Sequence, residues 1–486
     1  MPTMTQSPST TRPVTDLAGS LSLTIDGRAV AGAAAPLTVV NPATEAVLDH
    51  APAADTPQLD EAVAAARTAF TTWRTRPWAE RRAAVVAYAD ALEARAEDLA
   101  RLLTAEQGKP LAAARGEVGR ALEWARALAD MELPTRTAVD DDVHVARVRH
   151  VPIGVVAGIV PWNFPVTLAM WKIAPALLTG NTIVLKPSPF TPLTGLLLGE
   201  IARDILPAGV LNVITGDHDL GPALTAHPGI DKIAFTGSTA TGRAVMQTAG
   251  RDLKRVTLEL GGNDAAVILP DADVEAIAPQ IFWACFANTS QYCLATKRVY
   301  VHADVHERLL NALIEYAQTV VVGDGADEAT QMGPLQNRAQ YERVLALIDQ
   351  SEAAGHTIAF RGTAHPEQGY FIGPVIVDQP PEDSALVQEE PFGPIVPVLT
   401  FTDTDDVLAR INASPYGLGG SVWGTDVEAA VRVAERIESG VVWVNEIHRL
   451  SPQFPLAGHR ASGIGRENGI EGLLEYCNTQ VIAVAR

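Results

Sequence analysis

Cysteine is scarce in this chain: three in 486 residues, at positions 285, 293 and 477. An odd number with no CxxC pair and no close His/Cys cluster argues against a disulfide framework and a metal site. It suits a reducing, cytoplasmic compartment. Positive charge is also short, with 37 Lys and Arg against 57 Asp and Glu and a net charge of −20. That balance disfavours nucleic acid, whose affinity comes mostly from cations on phosphates. MPTMTQSPSTTRPVTD does not read as a secretory signal, lacking an apolar core behind a basic start, and its first 15 or so residues read as a flexible tail. One uncharged run, Val151 to Trp171, is long enough on paper to span a bilayer. Pro152, Pro161 and Pro165 interrupt it and Asn163 lies within it, so it reads as a buried strand, a turn and a helix start.

What remains is ordinary for a large globular protein, 47% apolar and 19% charged, and long enough for two or three domains. LSLTIDGRAV reads as a hairpin turning at Asp26-Gly27. Helical spacing starts at Thr56-Pro57 with Thr as the cap. It resumes from about Glu80 to Gly108 as one long helix, and again from about Ala112 to Glu132. DDDVHVARVRHV is extended and polar on one side, as an oligomer contact or an edge strand would be. From Val155 the runs VVAGIV, TIVLK, VLNVITG, KIAFTG and VTLELG alternate with helical segments beginning near Pro165, Pro189, Asp219 and Thr239. A second series, AAVILP, KRVYVH, PIVPVLTF, GGSVWG and GVVWVNE, follows Gly261-Gly262. Two α/β lobes with parallel sheets are the prediction.

Several loops carry chemistry. FTGSTATG places Gly237, Ser238 and Thr239 between a strand and a helix, where backbone N–H groups can meet a phosphate, although a plain turn is the commoner reading of so short a motif. VLKPS puts Lys186 and Ser188 at a strand end, the ligand edge of open parallel sheets. ELGGN offers Glu259 as a base and PWNFP offers Asn163 as an oxyanion donor, or else a solvated carboxylate and a helix cap. EEPFGP gives Glu390 and Phe392, and NTSQYCLA holds Cys293. A thiol, an oxyanion amide, a carboxylate and a phosphate-binding lobe are the parts for oxidising an aldehyde through a thioester.

PWNFP, VLKPS, FTGST, ELGGN, the Cys293 segment, EEPFGP and SGIGRENG, in that order along the chain, resemble the aldehyde dehydrogenase superfamily from about residue 20 to the C-terminus. The resemblance implies an α/β fold of two Rossmann-like parallel-sheet lobes with a small β oligomerisation arm. The cofactor-binding domain would comprise 1–128 and 150–261, the arm 129–149, the catalytic domain 262–468 and a C-terminal oligomerisation segment 469–486. It implies Cys293 as nucleophile, Asn163 with the Cys293 N–H as oxyanion site, Glu259 as the water-activating base and Lys172 as its support. NAD is the implied cofactor. Lys186 and Glu390 would bond its riboses and Ser238 its pyrophosphate, with Trp162 and Phe392 shaping the cleft. Val160, Pro161, Ser188, Gly221, Phe235, Gly237, Leu260 and Gly261 complete that implied site. A homodimer or homotetramer is implied, with no metal.

Three departures bear on detail. Ser290 stands where the family usually has glycine, the common PFGG-x-K reads Pro455-Leu456-Ala457-Gly458-His459-Arg460, and Pro189 replaces a glutamate often found after KPS. The last change leaves NADP open. The matching tunnel positions, Phe164, Leu168, Trp171, Tyr292, Leu294, His448, Leu450 and Leu456, are mostly apolar and suit a medium-sized hydrophobic or aromatic aldehyde. His448 and Arg449 could instead meet a carboxylate, which would make the substrate a semialdehyde. A thiol esterase uses the same nucleophile and base, and a non-catalytic binding protein would not need them.

Overall fold

The structure, a computed structural model, describes residues 13–364 and 368–486. The expected tail therefore lies mostly outside the described residues; where it ends, Val14–Ala18 form a short helix with Leu17 and Ala18 buried. Among the described residues no helix is long and apolar enough to cross a membrane, and no group of three or more His, Cys, Asp or Glu could hold a metal ion.

Two sheets organise the chain. In the first, five parallel strands lie in the order Arg255–Glu259, Lys232–Thr236, Val155–Ile159, Thr182–Lys186, Leu211–Val213. The hairpin Leu23–Ile25 and Arg28–Val30 adds antiparallel strands at one edge, and Gly463–Ile464 adds one at the other. Asp26 and Gly27 carry the positive φ angles that a tight hairpin turn needs. The central strands are buried along almost their whole length, as a parallel sheet covered on both faces must be. The first strand in sequence lies between the second and the fourth. The crevice at such a reversal opens at the strand ends of Val155–Ile159 and Lys232–Thr236, where Trp162 and Ser238 follow.

The second sheet has seven strands, ordered Thr357–Arg361, Val375–Asp378, Ile395–Phe401, Thr296–His302, Asp264–Ile268, Gly419–Trp423, Val441–Val444. Only its first strand is antiparallel to its neighbour. Glu259 closes a strand of the first sheet, and five residues on Asp264 opens a strand of the second. The C-terminal edge of one sheet is thus held against the N-terminal edge of the other.

Arg136–Asp140, His144–Pro152 and Cys477–Ala485 form a separate antiparallel sheet, with the last strand paired to the middle one over nine registered residues. Val139, Val143, Val481, Ile482 and Val484 stand exposed on and around it.

Local details differ from the sequence reading. Asp55 caps the helix Thr56–Trp73 through a full capping box, with Thr56 inside the helix. The helix expected from Glu80 to Gly108 is two, Trp78–Glu93 and Ala96–Gln107, parted at Ala94-Arg95. No Gly or Pro marks that break. Arg95 leaves helical geometry and bonds forward to Asp98 at 2.6 Å, which periodicity does not reveal. The helix expected near Pro189 begins at Pro192.

Candidate active site

The helix Val274–Phe286 runs into Asn288, Thr289 and Ser290, whose φ angles are 53°, 57° and 59°. Three successive side-chain-bearing residues in left-handed geometry carry strain of about 1–3 kcal/mol each. Side chains hold the turn against it. Thr289 Oγ1 donates to Gly333 O at 2.9 Å and Ser290 Oγ to Cys285 O at 2.6 Å. Asn288 Nδ2 donates to both Asn163 O and Gln291 O at 3.1 Å. Ser290 therefore keeps a glycine-like turn by adding a hydrogen bond. The turn delivers Cys293, half-buried, into a cavity of about 210 Å³ that Asn163 and Glu259 also line. Cys285 and Cys477 are buried.

Glu259 is 5% exposed, and its carboxylate faces the Cys293 thiol with no other hydrogen-bond partner. Burial, reinforced by the charge of Glu467, lifts its pKa to about 8. Burial likewise pushes the Cys293 thiol well up, Glu259 adds to the rise, and Lys297 opposes it. Both groups are mainly protonated at neutral pH. Asn163 Nδ2 donates to Gln291 O at 3.0 Å, while its Oδ1 is buried without a partner. One amide hydrogen is left over.

Lys172 is fully buried on the helix Pro165–Leu178, donating to Thr236 Oγ1 at 2.7 Å and to Glu467 Oε1 at 2.8 Å. Glu467 lies inside SGIGRENG but was not singled out by sequence reasoning. Lys297 was also missed: its buried Nζ donates to Cys293 O at 2.5 Å and lies 3.3 Å from Glu390 Oε1. Nothing in a lone lysine inside a strand signals this.

Pro161, Trp162, Gly237, Ser238, Leu260, Gly261, Glu390 and Phe392 line the same cavity, joined by the unforeseen Thr236, Gln340 and Arg343. Trp162 and Phe392 meet edge to face at 5.5 Å, and Phe392 itself has φ 51°. Gln340 donates to the carbonyls of Pro391 and Phe392 and Arg343 to that of Glu390, fastening this wall. A Cβ on Gly261 would lie 2.3 Å from Glu390 Oε2, so a larger residue there would push the Glu390 carboxylate aside. Val160, Lys186, Ser188, Gly221 and Phe235 lie outside the cavity lining. Lys186 is buried at the end of its strand, and desolvation brings its pKa down to about 8. A larger open cavity of about 590 Å³ lies elsewhere, against Lys254–Val256 and Gly465-Arg466, and holds none of these groups.

Next to Cys293 in the chain, Tyr292 joins a series of rings: Phe164 to Tyr292 at 4.8 Å, Tyr292 to His448 at 4.6 Å, His448 to Trp443 at 6.4 Å. Leu168, Trp171, Leu294, Leu450 and Leu456 belong to the same apolar cluster. Trp124, missed in the sequence, stacks on Trp171 at 5.9 Å. His448 Nε2 donates to Leu294 O at 2.9 Å, and burial lowers its pKa to about 4, so the imidazole is neutral. Arg449 is exposed and lies 3.6 Å from Glu446.

A profile described as the aldehyde dehydrogenase family matches residues 30–482. The phenylacetaldehyde dehydrogenase of Pseudomonas fluorescens is 40% identical over 467 residues, 92% of each chain. Among solved structures, an NAD+ complex of an aldehyde dehydrogenase from Bacillus cereus superposes with a TM-score of 0.95 at 36% identity, covering 99% of both chains. Betaine aldehyde dehydrogenase from Staphylococcus aureus, in complex with NAD+, gives 0.92 at 32% identity, covering 97% of this chain and 96% of that one.

Proposed function

The chain belongs to the aldehyde dehydrogenase family, and from that premise we propose that it oxidises a medium-sized hydrophobic or aromatic aldehyde to the acid, with NAD as cofactor. The observation that carries this reading is the convergence of Cys293, Asn163 and Glu259 on one cavity.

The residues present fit a dinucleotide. Ser238 caps the 13-residue helix Thr239–Arg251, whose N-terminus opens at the cavity and suits phosphate. Lys186, whose nearest acceptor is the Pro187 carbonyl at 3.4 Å, has donors to spare for a ribose hydroxyl, and Glu390 is an acceptor for another. Relatives of known structure bind NAD+. NADP is the second reading, because Pro189 places no carboxylate where a 2′-phosphate would need to sit.

In the proposed reaction, Cys293 Sγ gives up its proton to solvent and bonds the aldehyde carbon. The resulting oxyanion is met by the Cys293 N–H and the free Asn163 amide hydrogen. A bound nicotinamide supplies the acceptor for the hydride that leaves this carbon, and a thioester remains on Cys293. Glu259, once ionised, takes a proton from water as its oxygen attacks the thioester carbonyl. The C–S bond breaks, the carboxylic acid departs, and the proton held by Glu259 passes to the sulfur, restoring the thiol and the ionised carboxylate. Lys172, paired to Glu467 and Thr236, supplies positive charge that favours the ionised form of Glu259. The ring series Phe164–Tyr292–His448 forms an apolar substrate wall, and the neutral His448 favours an uncharged aldehyde over a semialdehyde.

The division at residues 128, 149, 261 and 468 belongs to the same proposal. So does assembly of a dimer or tetramer through the three-stranded sheet, which its exposed valines and isoleucine support.

Nicotinamide reduction against aliphatic, aromatic and carboxylated aldehydes, each with NAD and NADP, tests the reading. Turnover greatest with an aromatic or medium aliphatic aldehyde, and abolished in Cys293→Ala, is the expected result. Absence of turnover together with absence of cofactor binding would overturn it.

A further inference from the structure

Lys109 and Glu117 form an ion pair with side chains 1% and 0% exposed, outside the cavity just described. Two charges taken out of water are costly, and such a pair persists where further hydrogen bonds satisfy both partners. Here they do. Lys109 Nζ donates to Glu117 Oε2 and, at 2.9 Å, to the main-chain carbonyl of Asn163. It also stands 4.1 Å from the centre of the Phe164 ring. Glu117 Oε1 accepts from the amides of Val166 at 3.0 Å and Thr167 at 3.2 Å.

Those amides open the helix Pro165–Leu178, which has no side-chain cap of its own: Phe164 cannot accept, and Pro165 has no N–H. Glu117 therefore caps that helix from a different one, Leu111–Ala129. Lys109 grips the chain just before it. Between the two grips lie Asn163 and Phe164, and Asn288 of the nucleophile turn donates to the same Asn163 carbonyl.

We propose that the Lys109–Glu117 pair is the positioning device of the oxyanion site, setting where the Asn163 amide stands relative to Cys293. The proposal rests on the reading of Asn163 given above. Neither residue of the pair touches substrate. They act through the Asn163 main chain, so their removal should leave cofactor affinity in place and slow acyl transfer. Displacement of a reacting-site group by about 1 Å is enough to slow a reaction about 100-fold.

The test is a double-mutant cycle read with p-nitrophenyl acetate, whose turnover needs the thiol and the oxyanion site but no hydride acceptor. Lys109→Met and Glu117→Gln are each made in the native chain and in Asn163→Ala, with thermal unfolding and NAD binding measured alongside. In the native background each change should cut the acylation rate about 10-fold or more. In Asn163→Ala, already slowed, each should add little, and Lys109→Arg should recover much of the loss. Equal losses in both backgrounds mean a merely structural pair and overturn the proposal. So does a slow Asn163→Ala beside an unimpaired Lys109→Met. Full ester turnover in Asn163→Ala would instead overturn the reading of Asn163, and the proposal with it. Should Lys109→Met not fold, Glu117→Gln, which keeps an acceptor for Val166 and Thr167, carries the same comparison.

Discussion

Glu259 is a carboxyl group buried beside the charge of Glu467, and its pKa of about 8 follows from that. A base works in its ionised form, so the hydrolytic step should speed up as pH rises through about 8 and then level off. Single-turnover release of acid across pH measures this. In Glu259→Gln the step should fall about 100-fold or more, and the rise should vanish. Cys293, Asn163 and Glu259 were legible as candidates because each falls at or within a few residues of a strand end, and the structure brings all three to one cavity. Glu467 was not, because its partner Lys172 lies 295 residues away and only folding brings them together. Lys109 is a similar case: a lysine after a helix-ending glycine reads as solvated, and only packing shows Asn163 and Glu117 around it.

Among the elements, the turn Asn288–Ser290 shows how strain is held. Ser290→Ala keeps the left-handed backbone and loses the 2.6 Å bond to Cys285 O, so it should destabilise the fold by about 1–2 kcal/mol. Ser290→Gly loses the same bond but relieves φ, and should cost less; urea unfolding distinguishes them. A second element, the helix Pro192–Ala202, begins on Glu106. This fully buried carboxylate accepts from Leu193 N, Thr194 N and Thr194 Oγ1. Burial raises its pKa from 4.5 to about 7. Between those values the folded chain keeps a proton that the unfolded chain releases, so this group's contribution to stability falls as pH rises. Glu106→Gln should remove that slope, on the order of 3 kcal/mol across the window, in unfolding curves taken at successive pH values. Most elements were visible as runs of strand or helix formers. The break at Ala94-Arg95 and the strands Thr357–Arg361 and Val375–Asp378 were not, since each depends on contacts rather than local pattern.

At the scale of the molecule, the alternation of strands and helices gave away two parallel sheets, and Gly261-Gly262 marked where one passes into the other. Spatial strand order is not written in sequence order. The placing of Val155–Ile159 beside Lys232–Thr236 comes from crossover packing, and that reversal opens the crevice at Trp162 and Ser238. The short Gly463–Ile464 strand, paired to Leu258 and Glu259, closes the first sheet from far along the chain.

The raised pKa of Cys293 has a consequence for the protein's life between turnovers. Peroxides and stray electrophiles attack thiolates far faster than thiols, so a sulfur stored with its proton is chemically quiet. On the proposed mechanism, the burial that holds the proton on Cys293 would also shield the resting enzyme from the damage that an always-ready nucleophile attracts.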